Sequence, residues 1–307
     1  MFDAFQIGPF MVWTHVIFLM LGIWLATEFF LRLAQSAHFP LQQFLEWRWW
    51  YVGAFAIGGR TIAMLTEYRV YLRHPLQLFV VWDGNFSFLG GVIGVGCVVW
   101  YANRLSRATF LQWLDVLLPA ATFGLIFDWM GRFFAGQHYG SPTDMFWGVT
   151  YDAMQVRYAV PIHPVQLYYA LFYAMLTFLL LIVRKHAKRA GGETLVGIVL
   201  ASVGVMILES FRGDFAIPVF ATTFDFILLV LLFAGLGLFA LLEVRMHQRG
   251  VIAYELVMAV VFGGYLLLRP MLPLETMEMR FSQLLAVLAL LATVVYVVVH
   301  RRWYPHL

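Results

Sequence analysis

The stretch Gly58-Gly59-Arg60, followed by Asp83-Gly84-Asn85-Phe86-Ser87-Phe88-Leu89-Gly90-Gly91, sets an arginine, an aspartate and clustered glycines inside an otherwise oily chain. Polar, glycine-broken backbone is tolerated at membrane depth only where it is buried in protein or lines a wet cavity. Ionisable side chains at that depth are costly and point by default to function. The Arg60 guanidinium is a planar fork that matches a phosphate, and the glycine pair before it lets a backbone or a lipid come close. The competing reading pairs Arg60 with an acid, Glu67 or Asp83. Gly94 and Gly96 continue a small-residue spacing typical of helix packing, whereas Gly90 and Gly91 are assigned to a cavity edge.

Three other groups carry chemistry. In the run from Asp128 to Gly140, Arg132 is a second phosphate-binding cation and His138 a group able to titrate near neutral pH. Asp128, four residues before Arg132, can instead neutralise it. His163-Pro164-Val165-Gln166-Leu167-Tyr168 begins a helix with proline in its first turn, which alone means capping and interface anchoring. Glu209 and Arg212 form either a helix-end pair or two walls of one pocket.

These residues must be positioned by membrane helices. Of 307 residues, 62% are hydrophobic and only 12% charged, half the charge of a soluble domain, so the chain is an all-α polytopic membrane protein. Apolar runs predict nine spans, near 10–33, 47–66, 88–102, 108–129, 163–183, 195–212, 219–242, 251–269 and 281–299. The third is short, and the apolar piece 76–82 before it is too short to cross, fitting a re-entrant or interfacial segment. Twelve basic residues fall in loops on one face and seven on the other, which puts the N-terminus outside and the C-terminus in the cytoplasm. The net charge of +3 follows from that topology and argues for no nucleic-acid partner. Segments 67–87 and 130–162 then lie outside, rich in Tyr, Trp, Arg and Asp, as interfacial arms or ordinary loops. The single cysteine, Cys97, excludes intrachain disulfides and thiolate metal clusters. A boundary is expected near residue 250, dividing a core, 1–250, from two plain apolar spans in 251–307.

Taken in order, Ile7-Gly8-Pro9, Gly58-Gly59-Arg60, the segment from Val81 to Gly91, His163 to Tyr168, and Glu209-Ser210-Phe211-Arg212 resemble the bacterial prolipoprotein diacylglyceryl transferase family over roughly residues 7–240. The resemblance implies a seven-span inner-membrane core, here with two extra C-terminal spans. It also implies transfer of the diacylglyceryl group of phosphatidylglycerol to the lipobox cysteine of a preprolipoprotein, releasing glycerol phosphate without metal or other cofactor. That reaction asks for cations on the phosphate leaving group and a base to generate the thiolate. On this resemblance the lipid and phosphate site comprises Arg60, Asp83, Gly90, Gly91, Gln137, His163, Glu209 and Arg212.

The chain departs from the family pattern at several motif positions. Leu89 stands where the family keeps a histidine. In the signature GRxGNFxNxE, aligned without gaps, the arginine falls on Trp129 and the glutamate on Gln137; a three-residue deletion would instead make Gly131-Arg132 the GR. Val205 replaces an arginine, Tyr169 the acid after the HPxQLY motif, and His15 the tyrosine of the first span. His138, Arg132 and His15 are the residues left to replace the missing base and cation. Three readings follow: the family transferase, a related transferase with a changed donor or acceptor, and a non-catalytic phospholipid-binding protein on the same fold. A transporter is disfavoured because no internal repeat is present.

Overall fold

The computed structural model describes residues 4–7, 10–39, 41–66, 72, 86–104, 107–151, 156–186, 190–214, 218–242, 248–271 and 275–303. Asp83, Glu67 and the apolar piece 76–82 lie outside these. Helices occupy the places of the nine expected spans: α1 (Thr14–Ser36), α3 (Arg48–Thr66), α4 (Phe88–Ala102), α5 (Arg107–Ala135), α6 (Val165–His186), α7 (Gly192–Glu209), α8 (Thr223–Leu242), α9 (Gln248–Leu268) and α10 (Phe281–Trp303). A short α2 (Leu41–Glu46) precedes α3. Five helical segments are long and apolar enough to cross a membrane: Thr14–Ser36, Phe110–Ala135, Val165–His186, Gly192–Glu209 and Phe281–Val299. Among the described residues, five of the nine expected spans thus meet both the length and the hydropathy of a membrane crossing. Phe88–Ala102 is apolar but short, and α3 is diluted by Trp49, Trp50, Tyr51, Arg60 and its glycines.

The first span begins later than the apolar run suggests. Phe10–Trp13 forms β2, paired antiparallel with β1 (Ala4–Ile7), and α1 starts only at Thr14. The segment expected to begin at residue 130 likewise starts later, because α5 continues to Ala135.

The chain divides into two compact units, one of Met1–Gly197 with Ser210–Phe215, the other of Ile198–Glu209 with Ala216–Leu307. The boundary expected near residue 250 thus falls inside the second unit. There, β3 (Pro218–Thr222) pairs antiparallel with β4 (Thr276–Arg280) and joins the starts of α8 and α10. Asp225 of α8 accepts from Arg269 Nε at 2.9 Å and from the Tyr265 hydroxyl at 2.8 Å, tying α8 to the end of α9.

In the first unit α5 is the hub, packed against α1, α4 and α6. Its 29 residues run about 43 Å at 1.5 Å per residue. Pro119 removes one backbone donor inside it. The Thr122 hydroxyl donates to the Pro119 carbonyl at 3.0 Å, and the Thr177 hydroxyl of α6 lies 2.8 Å from that of Thr122, joining the two helices. The α3–α4 contact depends on missing side chains. A Cβ on Gly58 would come within 2.5 Å of the Gly90 carbonyl oxygen, and one on Gly90 within 2.6 Å of the Gly58 carbonyl. Gly91 packs on the Phe55 ring, and a Cβ on Gly94 would fall on the Ala54 carbonyl. Gly90 and Gly91, expected at a cavity edge, are buried in this contact. Gly96 stands apart, its nearest neighbour Leu117 at 4.0 Å.

Gly94→Val is therefore expected to cost on the order of 1–3 kcal/mol by overpacking, whereas Gly96→Ala stays within about 0.5 kcal/mol of wild type. Thermal unfolding in detergent checks this, and equal shifts for the two variants would contradict the packing assigned to α3 and α4.

Candidate functional site

Two trios of His, Asp and Arg form at one end of the first unit. In the first, Asp128 of α5 is buried, with 3% of its side chain exposed, and each of its oxygens has a partner. Oδ1 lies 3.2 Å from His15 Nε2 of α1, and Oδ2 accepts from Arg132 Nε at 2.9 Å. Close approach of α1 makes this reach short: a Cβ on Gly131 would meet the Phe18 Cβ at 2.7 Å and the His15 carbonyl oxygen at 3.2 Å. With Asp128 ionised, His15 donates to it from Nε2. Asp128 thus pairs with Arg132 at helical spacing, one of the two alternatives above, and it holds a histidine as well. Arg132 is bound only through Nε among the described residues, and its guanidinium carbon lies 5.5 Å from the Trp129 ring centroid.

The second trio forms where the chain leaves α5 and α7. Gly136, at φ +68°, ends α5. Its N–H bonds to the Phe133 carbonyl at 3.3 Å and that of Gln137 to the Arg132 carbonyl at 3.0 Å, a left-handed glycine cap. His138 is also left-handed, at φ 54°, which aims its ring back toward the bundle. Residues 139–141 run antiparallel to 211–213, with Ser141 N–H bonded to the Phe211 carbonyl at 2.9 Å and Gly213 N–H to the Tyr139 carbonyl at 3.0 Å. This pairing sets Arg212 and Asp214 against His138. Arg212 donates to Asp214 through Nε at 3.0 Å and through an Nη at 2.6 Å, and that same Nη lies 2.7 Å from His138 Nδ1.

That geometry chooses a protonation state. His138 Nδ1 also lies 3.1 Å from Asp214 Oδ2. A proton on Nδ1 would face the Arg212 N–H across 2.7 Å, so Nδ1 accepts from Arg212 and the ring is neutral with its proton on Nε2. Burial, then the Arg132 and Arg212 guanidiniums, push His138 down to about 4 against the opposing pull of Asp214. The imidazole keeps 37% of its side chain exposed, so the two nearby cations are the better supported cause. The expected titration near neutral pH is thereby corrected. Burial would raise the Asp214 carboxyl, but the Arg212 guanidinium bonded to both of its oxygens outweighs that and holds it well below the usual carboxylate range.

Trp129 stands between the trios. Its ring stacks on Tyr169 at 4.0 Å and 8°, and its centroid lies 5.9 Å from that of His138. Gln166, fully buried, donates to the Gln137 carbonyl at 2.7 Å. His163 Nδ1 lies 3.2 Å from the Tyr168 hydroxyl, which accepts from Trp147 Nε1 at 2.6 Å. Arg60 is half-buried on α3, beside the point where Ser87 N–H bonds to the Gly59 carbonyl at 3.1 Å. Leu89 is 55% exposed on α4. Glu209 belongs to the second unit, where Arg280 Nε lies 3.7 Å from its carboxylate.

A family model described as prolipoprotein diacylglyceryl transferase matches residues 3–299. The chain belongs to the prolipoprotein diacylglyceryl transferase family. Among relatives named phosphatidylglycerol–prolipoprotein diacylglyceryl transferase, that of Solidesulfovibrio magneticus is 33% identical over 193 residues, covering 62% of this chain and 72% of its own. That of Azospirillum brasilense is 32% identical over 221 residues, covering 68% and 80%, and that of Geobacter sulfurreducens 37% identical over 138 residues, covering 44% and 52%. The family match runs through residues 251–299, which hold the two spans expected to be extra to the family core.

The family pattern gives the Trp129–Tyr169 stack a meaning. In the gapless alignment these positions are an arginine and an acid in the family motifs, and here they meet as two aromatic rings. Sequence reasoning missed Asp214, Trp129 and Tyr169 as members of the site. Asp214 is signalled only as an acid two residues after Arg212, and the aromatic pair only as two losses from the motifs.

Because His138 has a lower pKa folded than unfolded, where it is about 6.5, its contribution to stability is complete above that value. The contribution is lost as pH falls toward about 4. Histidine-labelled NMR is expected to show His138 neutral, with the proton on Nε2, down to about pH 4. Arg212→Gln should move that midpoint upward; a wild-type midpoint near 6.5 would contradict the assignment.

Proposed function

We propose that this chain transfers the diacylglyceryl group of phosphatidylglycerol to the lipobox cysteine thiol of a preprolipoprotein, in a bacterial cytoplasmic membrane, with its N-terminus outside. The observation that carries the reading is the pair of aspartate-braced arginines at one end of the bundle, in a chain of this family. The thiolate sulfur attacks the glyceryl carbon of the diacylglyceryl unit. An S–C bond forms, the C–O bond to phosphate breaks, and glycerol phosphate leaves with the bonding pair. Arg132 and Arg212, with Arg60, hold the phosphate oxygens through directed N–H donors, since Asp128 and Asp214 cancel much of the net charge. His15, fixed by Asp128, takes the thiol proton at Nδ1. The neutral His138 donates from Nε2 and is no base, because Arg212 occupies Nδ1. Asp83 belongs to the same lipid-binding block in this reading.

A second reading is favoured by the Trp129–Tyr169 stack and the exposed Leu89, which alter the site where the family motifs are polar. It keeps the transfer and changes the donor headgroup or the acceptor.

In membranes supplied with phosphatidylglycerol and a lipobox peptide, Arg212→Ala is expected to slow transfer by roughly 10²-fold or more, and His15→Gln by about 10²–10⁴-fold. Arg60→Lys should also impair it, because an ammonium cannot replace a bidentate fork. Undiminished transfer in all three would overturn the reading. Transfer by the wild type only with another headgroup would select the second.

A further inference from the structure

A cavity of about 300 Å3 lies between α1, α3, α4 and α5. It belongs to the half of these helices away from the two trios. On α1 its wall begins at Ile23, two turns beyond His15, and on α5 it is formed by Leu117, Ala120 and Ala121, well before Asp128. Phe30, Phe55 and Val92 complete a surface that is almost wholly apolar. Arg48, the first residue of α3, is the one charged side chain among the described residues that line it. Thr27, Arg48 and Val52 at the rim are exposed, so the cavity opens sideways between α1 and α3.

The chemistry of these walls narrows the occupant. Water needs two to four polar partners, which Phe, Val and Leu side chains do not supply. A peptide segment would bury amide groups with nothing to bond them. An apolar cavity of about 150 Å3 already takes a benzene-sized guest, and this one is twice that volume. A hydrocarbon chain fits such a space. The mouth supplies the rest: Trp49 and Trp50, 73% and 70% exposed, follow Arg48, and an arginine beside tryptophans marks headgroup depth. A guanidinium there pairs with a phosphate.

We propose that this cavity holds one acyl chain of a second, non-reacting anionic phospholipid, with its phosphate held by Arg48. The lipid sits at the end of the helices away from the reacting one and braces α1 against α3 and α4. The proposal stands independently of which lipid the transferase consumes, because none of the residues of the two trios lines this cavity.

Native mass spectrometry of the intact chain with phosphatidylglycerol, phosphatidylethanolamine or oleate tests it, together with photolabelling by a phosphatidylglycerol carrying a mid-chain diazirine. Wild type should retain one more phosphatidylglycerol than Arg48→Gln, and at least several-fold more of it than of phosphatidylethanolamine or oleate. The diazirine should label peptides containing Phe55 or Val92, and Ala121→Phe should abolish that label. Arg48 is exposed, so Arg48→Gln tests the headgroup contact without disturbing the packed interior. Equal retention by Arg48→Gln, equal binding of oleate or phosphatidylethanolamine, or labelling confined to other peptides would each overturn the proposal.

Discussion

A buried carboxylate must have both oxygens bonded, and Asp128 meets that demand by drawing two elements together. Arg132 comes from its own helix one turn on, and His15 comes from α1, 113 residues away in sequence. Removing either partner would leave a charge stranded in the protein interior, a loss on the order of 3–5 kcal/mol for a buried pair. The α1–α5 crossing, the orientation of Arg132 and the tautomer of His15 therefore stand or fall together. Gly131 makes the crossing close enough for the contact to form.

The second trio repeats the device with backbone pairing in place of a helix crossing. Asp214 spans the Nε and Nη faces of Arg212, and His138 accepts from the same cation. Both trios fix an arginine by an aspartate, yet they use opposite ring nitrogens of the histidine. His15 meets Asp128 through Nε2, while the Nδ1 lone pair of His138 is used by Arg212. Trp129 lies between them, stacked on Tyr169. That stack contributes about 0.5–1.5 kcal/mol beyond its buried area.

Apolar run length is a local property, which is why the helices were legible: the span predicted at 88–102 is the helix Phe88–Ala102. Phe10–Trp13 read as part of the first span because strand and helix are equally apolar there, and only pairing with Ala4–Ile7 separates them. Arg132 and Asp128 were legible as a pair because four residues place them on one helix face. The third member, His15, was visible only as a substitution within a family motif. His138 was legible as a residue able to exchange protons, but its actual state depends on Arg212, 74 residues on, and no local pattern carries that. Gly90 and Gly91 were assigned to the wrong surface because small-residue spacing does not say which neighbour fills the gap.

The account turns on Asp128 holding His15 as the base. In Asp128→Asn the amide would present N–H where His15 needs an acceptor, which imposes the wrong tautomer while the shape of the side chain is kept. Single-turnover transfer from phosphatidylglycerol to a lipobox peptide by this variant, alongside its thermal unfolding, is the most direct measurement. The account predicts a folded protein whose rate falls by about 10²–10⁴-fold at neutral pH. A folded variant within about twofold of the wild-type rate, outside the range expected for a lost base, would contradict it.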